Sequence, residues 1–172
     1  MAGKMDALAA EFYQNYINKA PDENVVKAIE KNARNFRKLL KNIPKKKIDF
    51  AYAEGKWTIR EVLQHVIDAE RVFSYRATSI ARKDPTPLPS FDENIWASNS
   101  NASSRSWKEM INEFRSLREA NQALFSSFAD EQLRAIGTAS NKQVNVLALG
   151  FIIAGHVQHH IDIIKERYLQ KK

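Results

Sequence analysis

Residues 84–104, DPTPLPSFDENIWASNSNASS, interrupt the chain near its middle and decide how its helices can be arranged. This segment holds three of the five prolines and ends in a run of serines and asparagines. Such residues favour turns and loops over helix, so the segment predicts a long connector. In a four-helix bundle a long connector lets the chain cross the bundle, and the helices on either side need not be antiparallel neighbours.

On both sides of the connector, apolar residues recur at spacings of three and four, which predicts amphipathic helices. Thr58 and Glu61 form an S/T-x-x-E capping box at one helix start, with Trp57 placed as its hydrophobic staple. Asp22 is the expected N-cap of an earlier helix. We predict a short leading helix over residues 5–19 and four longer helices over residues 22–41, 58–82, 104–128 and 144–169.

These elements predict an all-α fold, a four-helix bundle with a long crossover between its second and third helices. The 172 residues are enough for one core of ordinary size, and we see no internal repeat. We therefore expect a single domain over residues 1–172.

The sequence excludes several kinds of chemistry. It contains no cysteine, so disulfides, thiolate metal ligands and cysteine nucleophiles are excluded. It has no Gly-rich phosphate loop and no G-x-S-x-G nucleophile motif. A nucleophile would therefore be a water activated by a metal or a substrate thiol.

The net charge is +7, and its densest basic run is KNIPKKK at residues 41–47. This run has no interleaved aromatic residues and no nucleic-acid motif, so we expect a solvated surface rather than nucleic-acid binding. The stretch MAGKMDALAAEFYQNY lacks the apolar core of a signal peptide. No run reaches the roughly 18 apolar residues of a membrane span. We expect a cytoplasmic protein without a membrane partner.

The four histidines are His65, His156, His159 and His160. His156 and His160 are four residues apart and share a helix face with Ile152 and Ile153, so both should point into the bundle. His65 lies at the margin of the apolar stripe of another helix. Three imidazoles with one open position are typical of a catalytic zinc site, and nickel, iron or manganese also accept imidazole. A packing role for the histidine pair is the alternative interpretation.

Two carboxylates flank the first of these histidines. Glu61 and Asp68 lie four residues before and three residues after His65, where either could accept a hydrogen bond from a ligand imidazole. Each could also be a solvated helix charge, which the capping role favours for Glu61.

At these residues the chain resembles the DinB-like (YfiT-like) superfamily of metal-binding four-helix-bundle proteins. The likeness covers nearly the whole chain and is strongest at residues 55–84, 86–96 and 154–169. There W-T-x-x-E-V-L-x-H-V-x-D-x-E is paired with G-H-x-x-H-H. The resemblance implies an up-down-down-up bundle and one zinc or nickel ion at His65, His156 and His160, with His159 left as a neighbour that lines the pocket.

The resemblance further implies a homodimer acting on a small-molecule substrate, as a metal-dependent hydrolase or as a transferase that uses a low-molecular-weight thiol. A non-catalytic, metal-stabilised dimer that serves as a binding or stress-response module is the alternative. Arg76, Asp92 and Trp96 also belong to the shared pattern. Arg76 could bind an anionic substrate, or it could pair with Asp92 or Glu93 to pin the crossover.

Overall fold

The computed structural model describes residues 2–170. The two ends of the predicted domain, Met1 and Lys171–Lys172, lie outside the described residues. Within this range the α-helices are α1 (Glu11–Lys19), α2 (Val25–Lys41), α3 (Lys45–Ile48), α4 (Ile59–Ala81), α5 (Glu93–Asn99), α6 (Trp107–Ser127), α7 (Asp130–Arg134) and α8 (Val146–Ile163). A π-helical turn, Ile164–Tyr168, extends α8. Strands β1 (Ile136–Ala139) and β2 (Lys142–Asn145) form an antiparallel hairpin before α8, and Lys4–Asp6 and Ala102–Ser104 are 3₁₀ turns.

The predicted four-helix bundle is confirmed, and its long helices are α2, α4, α6 and α8. Helices α2 and α4 each pack against α6 and α8 and share few contacts with each other, so they lie diagonally. The crossover makes α4 and α6 parallel neighbours, with Glu70 beside Arg118 and Ser74 beside Asn121. The direction of the long helices is therefore up, down, down, up.

Helix α8 is the central element of the core. It packs against α1, α2 and α4 and is buried on nearly every side, with Phe151, Ile152 and Val157 almost inaccessible. Among the described residues, Val146–Tyr168 is the one helical segment long and apolar enough to cross a membrane. Within its most apolar stretch of 18 residues, 78% is buried inside the bundle. A helix that is apolar all round is expected at such a position.

The helix starts show one prediction that is right and one that is wrong. Thr58 and Glu61 form the predicted capping box at the start of α4. Asp22 does not cap α2; Asn24 does, because its side chain accepts a hydrogen bond from the Lys27 amide at 3.0 Å. Asp22 instead accepts from the Asn24 amide and pairs with Lys31. It fixes the turn before the helix.

The predicted leading helix is shorter than expected because tertiary hydrogen bonds hold its first half in another conformation. The Leu8 amide donates to Oδ1 of Asn145, and the Asn145 amide donates to the Leu8 carbonyl. This pairing fixes residues 7–10 outside helix, and α1 begins only at Glu11.

The crossover is ordered by its own short helix and by one arginine. Asp92 caps α5 by accepting from two backbone amides, and Trp96 packs on Phe91 with ring centroids 4.8 Å apart. The buried Arg76 donates to the Pro89 carbonyl at 2.5 Å and to Oγ of Ser140 at 3.0 Å. Arg76 therefore pins the crossover, but through a backbone carbonyl and a hydroxyl and not through the carboxylates of Asp92 or Glu93.

Candidate metal centre

Helix α4 sets the position of His65 through its capped first turns. The Thr58 amide donates to Oε2 of Glu61 at 2.7 Å, and the Glu61 amide donates back to Oγ1 of Thr58 at 3.2 Å. These reciprocal bonds satisfy amides that a helix start otherwise leaves unpaired. The Trp57 ring lies over His65 with centroids 4.8 Å apart. The imidazole therefore projects from a fixed helix start against an aromatic wall.

Helix α8 supplies the other two imidazoles from one buried face. His156 and His160 are 5% and 7% exposed, and they lie one helical turn apart. Since α4 and α8 are antiparallel, the early part of α4 meets the late part of α8. The ring centroids of His156 and His160 lie 4.9 and 5.0 Å from that of His65.

The three side chains turn the same ring nitrogen toward one point. Nε2 of His156 lies 3.0 Å from Nε2 of His65 and 3.0 Å from Nε2 of His160. One nitrogen from each ring can be chosen so that all three lie within 4.8 Å of one another. In a tetrahedral zinc site with bonds of about 2.0–2.1 Å, ligand nitrogens lie about 3.3 Å apart. The two separations of 3.0 Å are therefore close to those between ligands of a single ion.

Hydrogen bonding alone cannot account for these contacts. An imidazole nitrogen has either one proton or one lone pair in the ring plane. Nε2 of His156 can therefore make one good hydrogen bond, but it has two nitrogen neighbours at the same distance. A second contact would have to share the same proton or lone pair in a bent, weaker bond. Of the three nitrogens, at least two must also be alike, and those two cannot bond to each other. A cation at the centre would accept all three lone pairs.

Burial keeps these imidazoles neutral, which is the form that binds metals. Loss of hydration lowers the pKa of His65 to about 4, against a smaller opposing effect from the charge of Glu93. The same cause holds the pKa values of His156 and His160 well below the usual range. A neutral imidazole has a free lone pair at neutral pH without first losing a proton.

Aromatic side chains surround the histidines, and one of them comes from a distant segment. The Tyr16 ring of α1 lies edge-on at 5.4 Å from both His156 and His159, and Phe73 lies 6.1 Å from His156. Sequence reasoning missed Tyr16, which lies 140 residues from His156. The signal that could have found it is the glycine before His156: Gly155 lets the backbone of Tyr16 rest directly on α8.

The other predicted residues lie near the centre with different contacts. His159 is half-buried beside Tyr16, outside the cluster of three nitrogens. Glu61 is occupied by the capping box, and Asp68 accepts from Gln64 and pairs with Arg71. Neither carboxylate bonds to a histidine among residues 2–170. Nδ1 of His160 is buried without a hydrogen-bond partner in the same range.

A buried ion pair beneath the histidines joins the four long helices. Nε of Arg118 lies 2.8 Å from Oε2 of Glu70, and both side chains are at most 2% exposed. Arg118 also donates to the carbonyl groups of Ile29 and Ile153. Asn121 donates to the second carboxylate oxygen of Glu70 at 2.7 Å. The charge of Arg118 is one of the smaller causes that lower the pKa of His156.

A cavity of about 240 Å³ opens beside His160. Its walls are aromatic and aliphatic side chains together with a lysine, an asparagine from α5 and a glycine: Tyr52, Gly55, Lys56, Trp57, Val62, Asn94, Ile163 and Tyr168. A small, mostly apolar space therefore adjoins one imidazole of the centre, that of His160, and leaves room for a substrate there.

Comparisons with known proteins agree with this architecture. The sequence profile of the DinB superfamily matches residues 28–164. "Putative metal-dependent hydrolase OB0413" of Oceanobacillus iheyensis is 24% identical over 142 residues, which are 81% of each chain. "Putative metal-dependent hydrolase BCB4264_A2719" of Bacillus cereus is 29% identical over 86 residues, or 49% of each chain.

The fold also matches that of a solved structure. YfiT from Bacillus subtilis, described as "a probable metal-dependent hydrolase with an unusual four-helix bundle topology", superposes with a TM-score of 0.74. The match covers 83% of this chain and 82% of YfiT at 19% identity, so it shows a shared fold. The family profile covers most of the bundle and includes all three clustered histidines. This chain is a member of the DinB superfamily.

Proposed function

We propose that His65, His156 and His160 hold one divalent metal ion, and that the protein is a metal-dependent hydrolase. The single observation that carries the proposal is the convergence of three Nε2 atoms that cannot all hydrogen bond to one another. Three neutral imidazoles, two of them buried and one half-buried, lie beside an accessible cavity and match a catalytic site, where one coordination position stays open. The relatives named as metal-dependent hydrolases support the same reading.

Zinc and nickel are the ions we propose, because imidazole ligands suit both and the DinB resemblance points to them. Iron and manganese are the alternatives. A bound ion supplies Lewis-acid chemistry, since it lowers the pKa of water and polarises a carbonyl group. The protein's part is to fix the three imidazoles and to limit water through the aromatic walls formed by Trp57, Tyr16 and Phe73.

Metal content tests the site directly. Protein purified without a metal-affinity tag should contain about one transition-metal ion per chain by elemental analysis. His156→Ala should lose it, whereas His159→Ala should keep it, because His159 lies outside the nitrogen cluster. Equally low metal content in the wild type and in His156→Ala would contradict the proposal.

Turnover separates a hydrolase from the alternatives. Model esters and amides should be cleaved by the metal-loaded protein, and the activity should disappear with a chelator and return with the ion. A second panel, of electrophiles combined with low-molecular-weight thiols, tests for transferase activity. Metal binding without turnover in either panel would favour the metal-stabilised binding module. We keep the homodimer and the cytoplasmic location as proposals, which sedimentation and cell fractionation would test.

A further inference from the structure

We propose that the cavity beside His160 takes a small organic anion with an apolar body, and that Lys56 is the residue that recognises its charge. This inference rests on the proposed function for the identity of the neighbouring reactive centre. It adds the substrate class and a specificity-determining residue. Two independent features support it: the lining of the cavity and the distribution of charge around its mouth.

The cavity lining has one charged side chain, and that side chain is a cation. Tyr52, Trp57 and Tyr168 provide aromatic surfaces, and Val62 and Ile163 provide aliphatic ones. Asn94, the Tyr52 hydroxyl and the Trp57 indole N–H are the other side-chain groups there that can hydrogen bond to a ligand. The Tyr168 hydroxyl already donates to the Trp57 carbonyl at 2.6 Å, and Nε2 of His160 faces His156. An apolar pocket with a few polar groups binds a mostly apolar ligand and orients it through those groups.

Lys56 is available for a ligand. Its side chain is exposed at the rim, and it forms no ion pair with a carboxylate among residues 2–170. Gly55 beside it has a φ of +68°, and a Cβ built there meets nothing within 4 Å, so the rim is open on this side. A lysine ammonium next to an apolar wall fits a carboxylate, phosphate or thiolate on the outer end of a bound molecule.

The excess positive charge of the chain lies in one segment, and the end of that segment approaches this rim. Residues 31–47 contain eight of the 27 lysines and arginines and none of the 20 acidic residues, so the rest of the chain is balanced to within one charge. Most of these cations have no carboxylate partner among the described residues, namely Arg37, Lys38, Lys41, Lys45, Lys46 and Lys47. An excess of positive charge beside a cleft raises the local concentration of anionic ligands, and here it is opposed by the charges of Glu61 and Glu93, which act on Tyr168 and His65.

Two aromatic contacts connect this basic segment to the cavity. Nζ of Lys47 lies 3.9 Å from the centre of the Phe50 ring, and that ring lies 6.4 Å from the ring of Tyr168. Tyr52 lies 4.9 Å from the same tyrosine. Both tyrosines line the cavity. The last lysine of the run therefore contacts a ring, Phe50, that itself packs against the cavity wall. The sequence alone predicted only a solvated surface here, because it could not show this proximity.

The test uses matched anionic and neutral probes on the full-length protein, both zinc-loaded and metal-free. Benzoate, phenylacetate and 3-phenylpropanoate are each compared with their primary amides by calorimetric titration. We expect at least one acid to bind about threefold more tightly than its amide, as for an ion pair at a solvent-exposed site. Lys56→Met should remove that preference in both forms, and Lys56→Arg should retain it. Higher ionic strength should weaken binding of the acid and leave the amide unaffected.

Lys142→Met is the matched control, because Lys142 is an exposed lysine of β2 at the opposite end of the bundle. It should bind the probes as the wild type does. An acid preference that survives Lys56→Met in metal-free protein would mean that another cation of the protein recognises the charge. A preference that occurs only with zinc would mean that the ion recognises it. Either outcome would overturn the proposal. Failure of every acid to bind better than its amide would also overturn it. A Lys56-dependent preference in protein that binds no zinc would leave this inference standing while the metal-centre proposal fails.

Discussion

The backbone carbonyl oxygen of Tyr16 occupies the space in which a side chain at position 155 would stand. A Cβ built on Gly155 would lie 1.6 Å from that oxygen and 2.4 Å from the carbonyl carbon. The contact is with backbone, so no rotamer change can relieve it. It brings α1 close enough for the Tyr16 ring to reach His156 and His159.

Gly155→Ala should therefore push α1 away from α8 and destabilise the fold by about 3 kcal/mol, the upper part of the range for overpacked cores. The loss of Tyr16 from the histidine wall should also weaken metal affinity. Urea unfolding and a competitive chelator titration measure the two effects. Gly3→Ala is the control, since its Cβ would have only an ordinary contact at 3.9 Å. Equal stability of both variants would contradict the packing argument.

Metal-free protein should lose stability as the pH falls. Burial lowers the pKa of His65 to about 4 and those of His156 and His160 well below the usual range. Between about pH 6.5 and the folded pKa, the unfolded chain binds protons that the native state does not, so the free energy of unfolding decreases toward acid. Each histidine contributes at most about 1.4 kcal/mol per pH unit. For His65 the window extends from about pH 6.5 to about 4.

Urea unfolding of metal-free protein at several pH values between neutral and acid measures this dependence. In His65→Gln the free energy of unfolding should depend less steeply on pH, because one titrating group is removed. His159→Gln should keep most of the slope, since its imidazole is only half-buried and its pKa is lowered less strongly by burial and by the charge of Lys19. A free energy of unfolding that is constant over this range would count against neutral, buried imidazoles.

The pair formed by Glu70 and Arg118 should respond asymmetrically to substitution. Arg118→Met leaves a buried carboxylate without its cation, which costs about 3–5 kcal/mol. Burial already raises the pKa of Glu70, so the variant should take up a proton there on folding. Adding Glu70→Leu to Arg118→Met should restore much of the stability, because no charge then remains buried. Chemical unfolding of the two variants is the measurement, and a double variant no better than the single one would refute this.

Arg76→Met should loosen the crossover without emptying the metal centre. The variant loses charged hydrogen bonds to the Pro89 carbonyl and to Ser140, with a cost of about 1.5–3 kcal/mol. Hydrogen exchange should accelerate within residues 84–104, while metal content stays at the wild-type level. Arg71→Met is the control, because Arg71 pairs at the surface with Glu113 and should cost less than about 1 kcal/mol. Unchanged exchange in the crossover would contradict this role of Arg76.

The sequence predicts those parts of the fold whose causes are local. The capping box of Thr58 and Glu61 lies within four residues, and the four long helices follow from their apolar spacing. The hairpin of β1 and β2 lies between two predicted helices and was not predicted, and its turn at Ser140 and Asn141 lacks the usual glycine. Both residues nonetheless have positive φ. Asparagine and, at some cost, serine can adopt that conformation.

For the candidate site too, the sequence predicts only the features that have local causes. The spacing of His156 and His160 places two imidazoles on one helix face, and the count of histidines leaves His65 as the third. Tyr16 and Asn94 could not be found in this way, because tertiary packing brings them to the site from other segments. Lys56 lies only nine residues before His65, but its place on the cavity wall depends on the path of the loop before α4. The positions of Tyr16 and Asn94 depend on the approach of α1 and on the crossover helix α5.

The separation of 91 residues between His65 and His156 has a consequence for how the protein acquires its ion. An isolated peptide with the α8 sequence could offer only two imidazoles, and α4 offers one. The third nitrogen comes into place only when α4 packs against α8, so the binding energy of the ion becomes folding energy. Metal supply in the cell would then influence how much of the protein is folded, and with it how long each molecule survives proteolysis.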